Sequence, residues 1–143
     1  MAIKTPHVAV DGVIEIYNEG VFQGVVLIER KNPPYGYALP GGFVDIGESV
    51  EDALKREMRE EVQLDIEIVD LLGVYSNPKR DPRFHVVSVV YICTSNKNPV
   101  AADDAKSVEV ISLNDLQDID LVFDHNEIIS HYLASRGYKQ EPE

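Results

Sequence analysis

Glu57, Glu60 and Glu61 stand at helical spacing in the segment 49–62. At about 100° per residue they fall on the arc, roughly 120° wide, already occupied by Val50, Ala53 and Leu54. An apolar face directed at a core thus turns, one or two turns later, into three carboxylates. Like charges at this spacing repel, and partial burial raises the cost steeply. A divalent cation removes the conflict, because hard ions such as Mg²⁺ or Mn²⁺ take oxygen ligands. A solvated acidic patch is the plain alternative. Arg56 beside the carboxylates and the Gly41-Gly42 turn ahead of them favour a metal site.

A second cluster lies in 75–85, where Lys79, Arg80 and Arg83 sit among Pro78 and Pro82. Arginine forks suit phosphate or carboxylate oxygens, and prolines lower the entropy lost on binding. The alternative is that pairs such as Arg80–Asp81 merely organise a surface loop. Asp103 and Asp104 offer another carboxylate pair, either a distant general base or a turn cap. His7, His85, His125 and His131 show no zinc-type spacing, although His125 near Phe123 could line a pocket. Tyr35 and Tyr37 would either stack on a base or pack their loop. Cys93 sits in an apolar stretch without basic neighbours, which argues against a reactive thiol.

These groups need a scaffold, and the chain is long enough to supply one. Its 143 residues are 44% hydrophobic and read as a single domain spanning 1–143. Asp and Glu number 25 against 13 Lys and Arg, a net charge of −12. Such a chain is repelled by nucleic-acid backbones. A small phosphorylated ligand remains open to it, since a metal ion or a local basic cluster can receive one. One cysteine permits no internal disulfide and suits a reducing compartment. The N-terminus is too polar for a signal peptide, and no apolar run approaches the ~20 residues of a membrane helix. The reading is a cytoplasmic protein with no membrane partner.

Periodicity predicts strands at 7–16 and 21–30, an irregular loop over 32–42, and a helix over 49–62 capped by Ser49. Further strands are expected at 65–76, 84–94 and 107–112. A second helix is expected at 126–135, with Gly137 past its end. Strands alternating with two helices indicate a layered α+β or α/β domain.

Gly42, Glu48, Arg56, Glu57, Glu60 and Glu61, with apolar Met58 and Leu64, fall at the spacings of the pattern G-x5-E-x7-R-E-U-x-E-E-x-G-U, where U is bulky and apolar. The chain therefore resembles the Nudix hydrolase family. One fixed position departs: Gln63 stands where the pattern has glycine. Glycine there suits a left-handed helix end, and Gln in that conformation costs around 1 kcal/mol.

The resemblance implies an α+β fold, an α/β/α sandwich with a mixed sheet and a loop–helix–loop metal site. It implies hydrolysis of a nucleoside diphosphate linked to another moiety. On this sequence, Glu57, Glu60 and Glu61 would hold Mg²⁺ or Mn²⁺, with the Gly42 carbonyl as a further ligand. Arg56 would orient the glutamates, and Glu48 would support the loop or an extra metal. The general base would be Glu60 or Glu61, or else Asp103 or Asp104. The runs 39–44, 73–83 and 121–125 resemble the ADP-ribose pyrophosphatase branch, which cuts ADP-ribose to AMP and ribose 5-phosphate. By that likeness Arg80 and Arg83 would contact substrate or order its loop, Arg30 would face the diphosphate, and the protein would be a homodimer. Two other readings stay open: the same chemistry on an oxidised nucleoside triphosphate, a dinucleoside polyphosphate or a sugar nucleotide, and a non-catalytic nucleotide-binding module.

Overall fold

The computed structural model describes residues 2–102 and 105–138. Asp103 and Asp104 lie outside the described residues. Strand β1 (His7–Asn18) is the centre of the molecule, and its residues 9–16 are all buried. It turns through Glu19 and Gly20, both at positive φ (50° and 79°), into β2 (Val21–Arg30). Two successive residues with positive φ give the turn the twist that a tight hairpin needs.

Five elements follow: β3 (Tyr37–Ala38), β4 (Gly41–Phe43), helix α1 (Val50–Val62), β5 (Glu67–Tyr75) and β6 (Val86–Ser95). The chain ends in β7 (Ala105–Ile111), the short α2 (Leu113–Leu116) and α3 (His125–Ser135). β6 runs parallel to β1 along one edge. The other edge of β1 is shared, antiparallel, by β4 and β2. β5 lies outside β6, while β3 and β7 pair with β2.

α1 covers one sheet face, placing Ala53, Leu54, Met58 and Val62 against Val10 and Ile14. α3 covers the other, placing Ile128, Ile129 and Tyr132 against Val13, Leu27 and Val90. The layers are therefore helix, mixed sheet, helix, the α+β sandwich expected. Among the described residues no helix is long and apolar enough to cross a membrane.

The segment 32–42 is not wholly irregular, as expected, but contains β3 and the start of β4. Its glycines carry no side-chain pattern, and its strand character comes from pairing, β3 with β2 and β4 with β1, where Gly41 lies opposite Asp11 and Gly42 opposite Val10. α1 starts as expected, the Ser49 hydroxyl accepting from the Asp52 amide at 3.1 Å. It ends in the left-handed turn that the family pattern assigns to glycine, with Gln63 at φ 57°, ψ 39°. The Gln63 and Leu64 amides close the helix by donating to the Arg59 and Met58 carbonyls, each at 3.2 Å.

Candidate active site

The site begins at β4, where two glycines let three elements meet. A Cβ on Gly42 would collide with the Glu57 carboxylate of α1, on one face of the strand. A Cβ on Gly41 would collide with the Asp11 carboxylate of β1, on the other. The Gly41 amide donates to Glu61 Oε1 at 3.0 Å. Bare backbone thus brings the helix carboxylates up to the end of the central strand.

Arg56 ties this corner together. Its Nε and Nη2 donate to both oxygens of Glu48, at 2.7 and 2.8 Å. Its Nη1 donates to Glu57 at 2.9 Å and Glu60 at 3.1 Å. Nη2 also donates to the Phe43 carbonyl at 3.0 Å. The guanidinium bonds hold the Glu48 carboxyl down at about 2, with help from the Asp45 amide. The same bonds, Glu48 first, raise the pKa of Arg56. Charge-assisted forks of this kind fix orientation as well as charge.

A cleft of about 350 Å³ opens here. Glu57, Glu61, Asp45 and Gly42 line one side, with Asp11 on the floor. Asp11 is buried and accepts from the Ser88 hydroxyl. His125 Nε2 lies 3.9 Å from it, while His125 Nδ1 accepts from the Leu39 amide at 3.0 Å. Nδ1 as acceptor puts the ring hydrogen on Nε2, facing Asp11. Burial pushes the pKa of His125 down, which favours this neutral form.

The far wall is cationic. Arg30 is anchored by the Pro34 and Pro33 carbonyls at 2.9 and 3.4 Å. Arg83 is held by both oxygens of Asp81, at 3.0 and 2.8 Å. Phe123 lies between them at φ 58°, its ring centre 5.1 Å from the Arg30 guanidinium and 5.4 Å from that of Arg83. Burial, and then the charge of Arg83, lower the pKa of Arg30. Burial pushes the Asp81 carboxyl up, but the bonds from Arg83 outweigh it and leave it lowered.

The structure brings together Gly42, Glu48, Arg56, Glu57, Glu60 and Glu61, and it places Arg30 and Arg83 on the facing wall. Glu60 pairs with Arg56, yet its side chain is 57% exposed and does not line the cleft. Arg80 makes the contacts of the loop-ordering alternative. It reaches the cleft wall, but its side chain is 4% exposed and its Nε and Nη2 bond both oxygens of Asp124, at 2.9 and 2.7 Å. It orders its loop by clamping it to the start of α3, and Arg83, not Arg80, pairs with Asp81. Sequence reasoning missed Asp11, whose signal was a carboxylate inside a largely apolar strand, a feature it shares with Glu15. It also missed Asp81, and Phe43 and Phe123 as cleft walls.

The donor set is all oxygen, which suits a hard divalent cation. Among the described residues no three acidic, His or Cys side chains converge closely enough to hold an ion by themselves.

The model of the NUDIX domain matches residues 5–132. The chain belongs to the NUDIX family. It is 49% identical over 131 residues to an ADP-ribose pyrophosphatase of Methanocaldococcus jannaschii, covering 90% of this chain and 73% of that protein. It is 29% identical over 141 residues to the ADPR responsive transcriptional repressor NtrR of Acinetobacter baylyi. That match covers 94% of this NUDIX chain but only 56% of the repressor. Among solved structures, the NUDIX domain of Shewanella oneidensis NrtR complexed with ADP ribose superposes with a TM-score of 0.79 at 27% identity. It covers 94% of this chain and 90% of that domain. Proteins of this family generally use a divalent metal, so family and donor chemistry agree.

Proposed function

We propose that this protein hydrolyses ADP-ribose to AMP and ribose 5-phosphate with Mg²⁺ or Mn²⁺. The observation that carries the reading is the pair of helix carboxylates, Glu57 against Gly42 and Glu61 on the Gly41 amide, facing Arg30 and Arg83 across one cleft. The relative at 49% identity supports the choice of substrate.

Glu57, Glu61 and the Gly42 carbonyl would hold the metal, with Glu60 as the third carboxylate of the set. When bound, the metal neutralises the diphosphate and acidifies a water. Arg56 keeps the carboxylates oriented, and Glu48 keeps Arg56 in place. Arg30 and Arg83 receive the diphosphate oxygens from the other side. Water attacks one phosphorus, the bridging P–O bond breaks, and a cleft carboxylate takes the water's proton. We assign that role to Glu61, because it lines the cleft and Glu60 does not. The helix end at Gln63 keeps the left-handed turn, which supports an intact site over a non-catalytic module.

The test is product analysis with a panel of nucleoside diphosphate derivatives and Mg²⁺, on the unaltered protein and on Glu57→Gln and Glu61→Gln. AMP and ribose 5-phosphate should appear fastest from ADP-ribose. Each substitution should lower kcat on the order of a hundredfold or more. Full turnover in Glu61→Gln, or faster cleavage of another nucleotide, would overturn the corresponding part of the reading.

A further inference from the structure

Among the described residues, Glu19, Gln63 and Phe123 sit at positive φ without being glycine. Glu19 serves the hairpin between β1 and β2, and Gln63 ends α1. Phe123 does neither, and it lines the cleft. A bulky side chain at positive φ is an outlier, and such strain persists only where the surroundings over-determine it. Here they do. The Val122 amide donates to the Tyr37 carbonyl of β3 at 2.9 Å, and the Leu121 amide to Asn126 Oδ1 at 2.8 Å. Asp124 is clamped by Arg80, and His125 accepts from the Leu39 amide. With both flanks tied, the chain turns at Phe123, and its ring joins neither apolar cluster of the sheet.

What the ring meets instead is charge. The Arg30 guanidinium lies 5.1 Å from its centre and that of Arg83 5.4 Å. Arg30 commits Nε and Nη2 to the Pro34 and Pro33 carbonyls, and Arg83 commits the same two atoms to Asp81. Neither Nη1 makes a hydrogen bond among the described residues. Burial and the charge of Arg83 lower the pKa of Arg30, so the two cations feel each other. The face of an aromatic ring is partially negative and attracts a guanidinium. One ring therefore offsets the repulsion of two cations without neutralising either. A carboxylate in its place would compete with an incoming anion, and an aliphatic side chain would leave the repulsion unopposed.

We propose that Phe123 is a positioning residue for anion binding: its ring holds Arg30 and Arg83 as one preformed pair, with the Nη1 of each left for the oxygens of a diphosphate. Taking a diphosphate as the ligand rests on the hydrolase reading above. Phe123 acts through the two arginines, and the gain is preorganisation, since cations already held in place lose less freedom on binding.

The probe is methylenediphosphonate, a base-free diphosphate analogue whose P–C–P bridge resists hydrolysis. It is titrated by calorimetry, with Mg²⁺, into the unaltered protein, Phe123→Leu, Phe123→Tyr and a protein carrying pentafluorophenylalanine at position 123. Fluorination keeps a ring of similar shape and reverses the charge of its face. AMP is titrated in parallel, circular dichroism confirms that each protein is folded, and ADP-ribose turnover is measured on the same samples. Diphosphonate affinity should fall on the order of tenfold in Phe123→Leu and in the fluorinated protein, and Phe123→Tyr should restore it to within about twofold. KM for ADP-ribose should rise by the same factor while kcat changes less, as when ground and transition states lose the same contact. Diphosphonate affinity unmoved by Phe123→Leu, or no binding by the unaltered protein, overturns the inference while leaving any measured hydrolysis standing. Weakening in Phe123→Leu with full affinity in the fluorinated protein means that the ring only fills space, and overturns it too. Loss of AMP binding with diphosphonate binding intact assigns the ring to the base, with the same result. Diphosphonate binding that depends on the ring's face, without ADP-ribose cleavage, upholds the positioning role and removes the hydrolase reading.

Discussion

Arg56 and Glu48, eight residues apart, meet in a two-pronged ion pair, Nε to Oε2 at 2.7 Å and Nη2 to Oε1 at 2.8 Å. The contact joins the loop after β4 to the middle of α1. It leaves Nη1 to serve Glu57 and Glu60. Glu48 thereby sets the plane of the guanidinium on which the other two carboxylates depend.

The pair should be visible in the pH dependence of stability. Glu48 titrates at about 2 in the folded chain against an ordinary 4.5. A carboxyl with a lowered folded pKa contributes stability above its unfolded pKa and loses it as pH falls through the folded one. The melting temperature of the unaltered protein should therefore exceed that of Glu48→Gln by a steady margin near neutrality. The margin should close between pH 4.5 and about 2. Parallel melting curves across that window would show that the pair contributes nothing to folding.

Gly42→Ala should separate architecture from chemistry. The new methyl would collide with the Glu57 carboxylate, so either β4 or the helix side chain must move. Overpacking of this kind costs about 1–3 kcal/mol. Turnover should fall on the order of a hundredfold, since displaced groups lose their alignment. Adding Glu57→Asp, one methylene shorter, should recover melting temperature without recovering kcat. Recovery of neither would mean that the clash is relieved elsewhere.

How much of this was legible in the residues depends on where their partners lie. α1 was legible because its cap, apolar face and carboxylates are all local. The β4 strand was not, because Gly41 and Gly42 have no side chains to pattern and take their strand form from β1. The arginine loop was legible as a cluster but not in its pairing. Arg80 has a carboxylate next to it at Asp81, yet it reaches Asp124, far along the chain, and leaves Asp81 to Arg83. Asp11 was not legible as a site residue, since Gly41, Ser88 and His125 surround it only after folding.

Gln63→Gly should stabilise the protein. Gln63 is held at φ 57°, where a side chain costs roughly 0.5–1 kcal/mol relative to glycine. Its side chain donates to the Ala101 carbonyl at a long 3.5 Å. Relief of about 1 kcal/mol in a chain of this size should raise the melting temperature by roughly 2–4 °C. ADP-ribose turnover should stay unchanged, because Gln63 does not line the cleft. A lower melting temperature would show that the Ala101 contact outweighs the backbone strain.

Arg80 and Asp124 make the sharpest stability test, because both are almost out of water, with side chains 4% and 15% exposed. Asp124 spends its carboxylate on Arg80 and makes no cap bond to α3, although it stands at the N-cap position. Removing one partner strands the other charge, which for buried pairs costs about 3–5 kcal/mol. Asp124→Ala and Arg80→Ala should each lose that much in urea denaturation. Replacing both with apolar residues of similar volume, Arg80→Met with Asp124→Leu, should recover most of the loss, because no charge is left unpaired. Turnover separates the pair's two possible duties. A clamp that only orders the loop predicts that the double variant keeps ADP-ribose turnover within a few-fold. If stability returns and turnover does not, Arg80 has a duty at the cleft beyond its clamp.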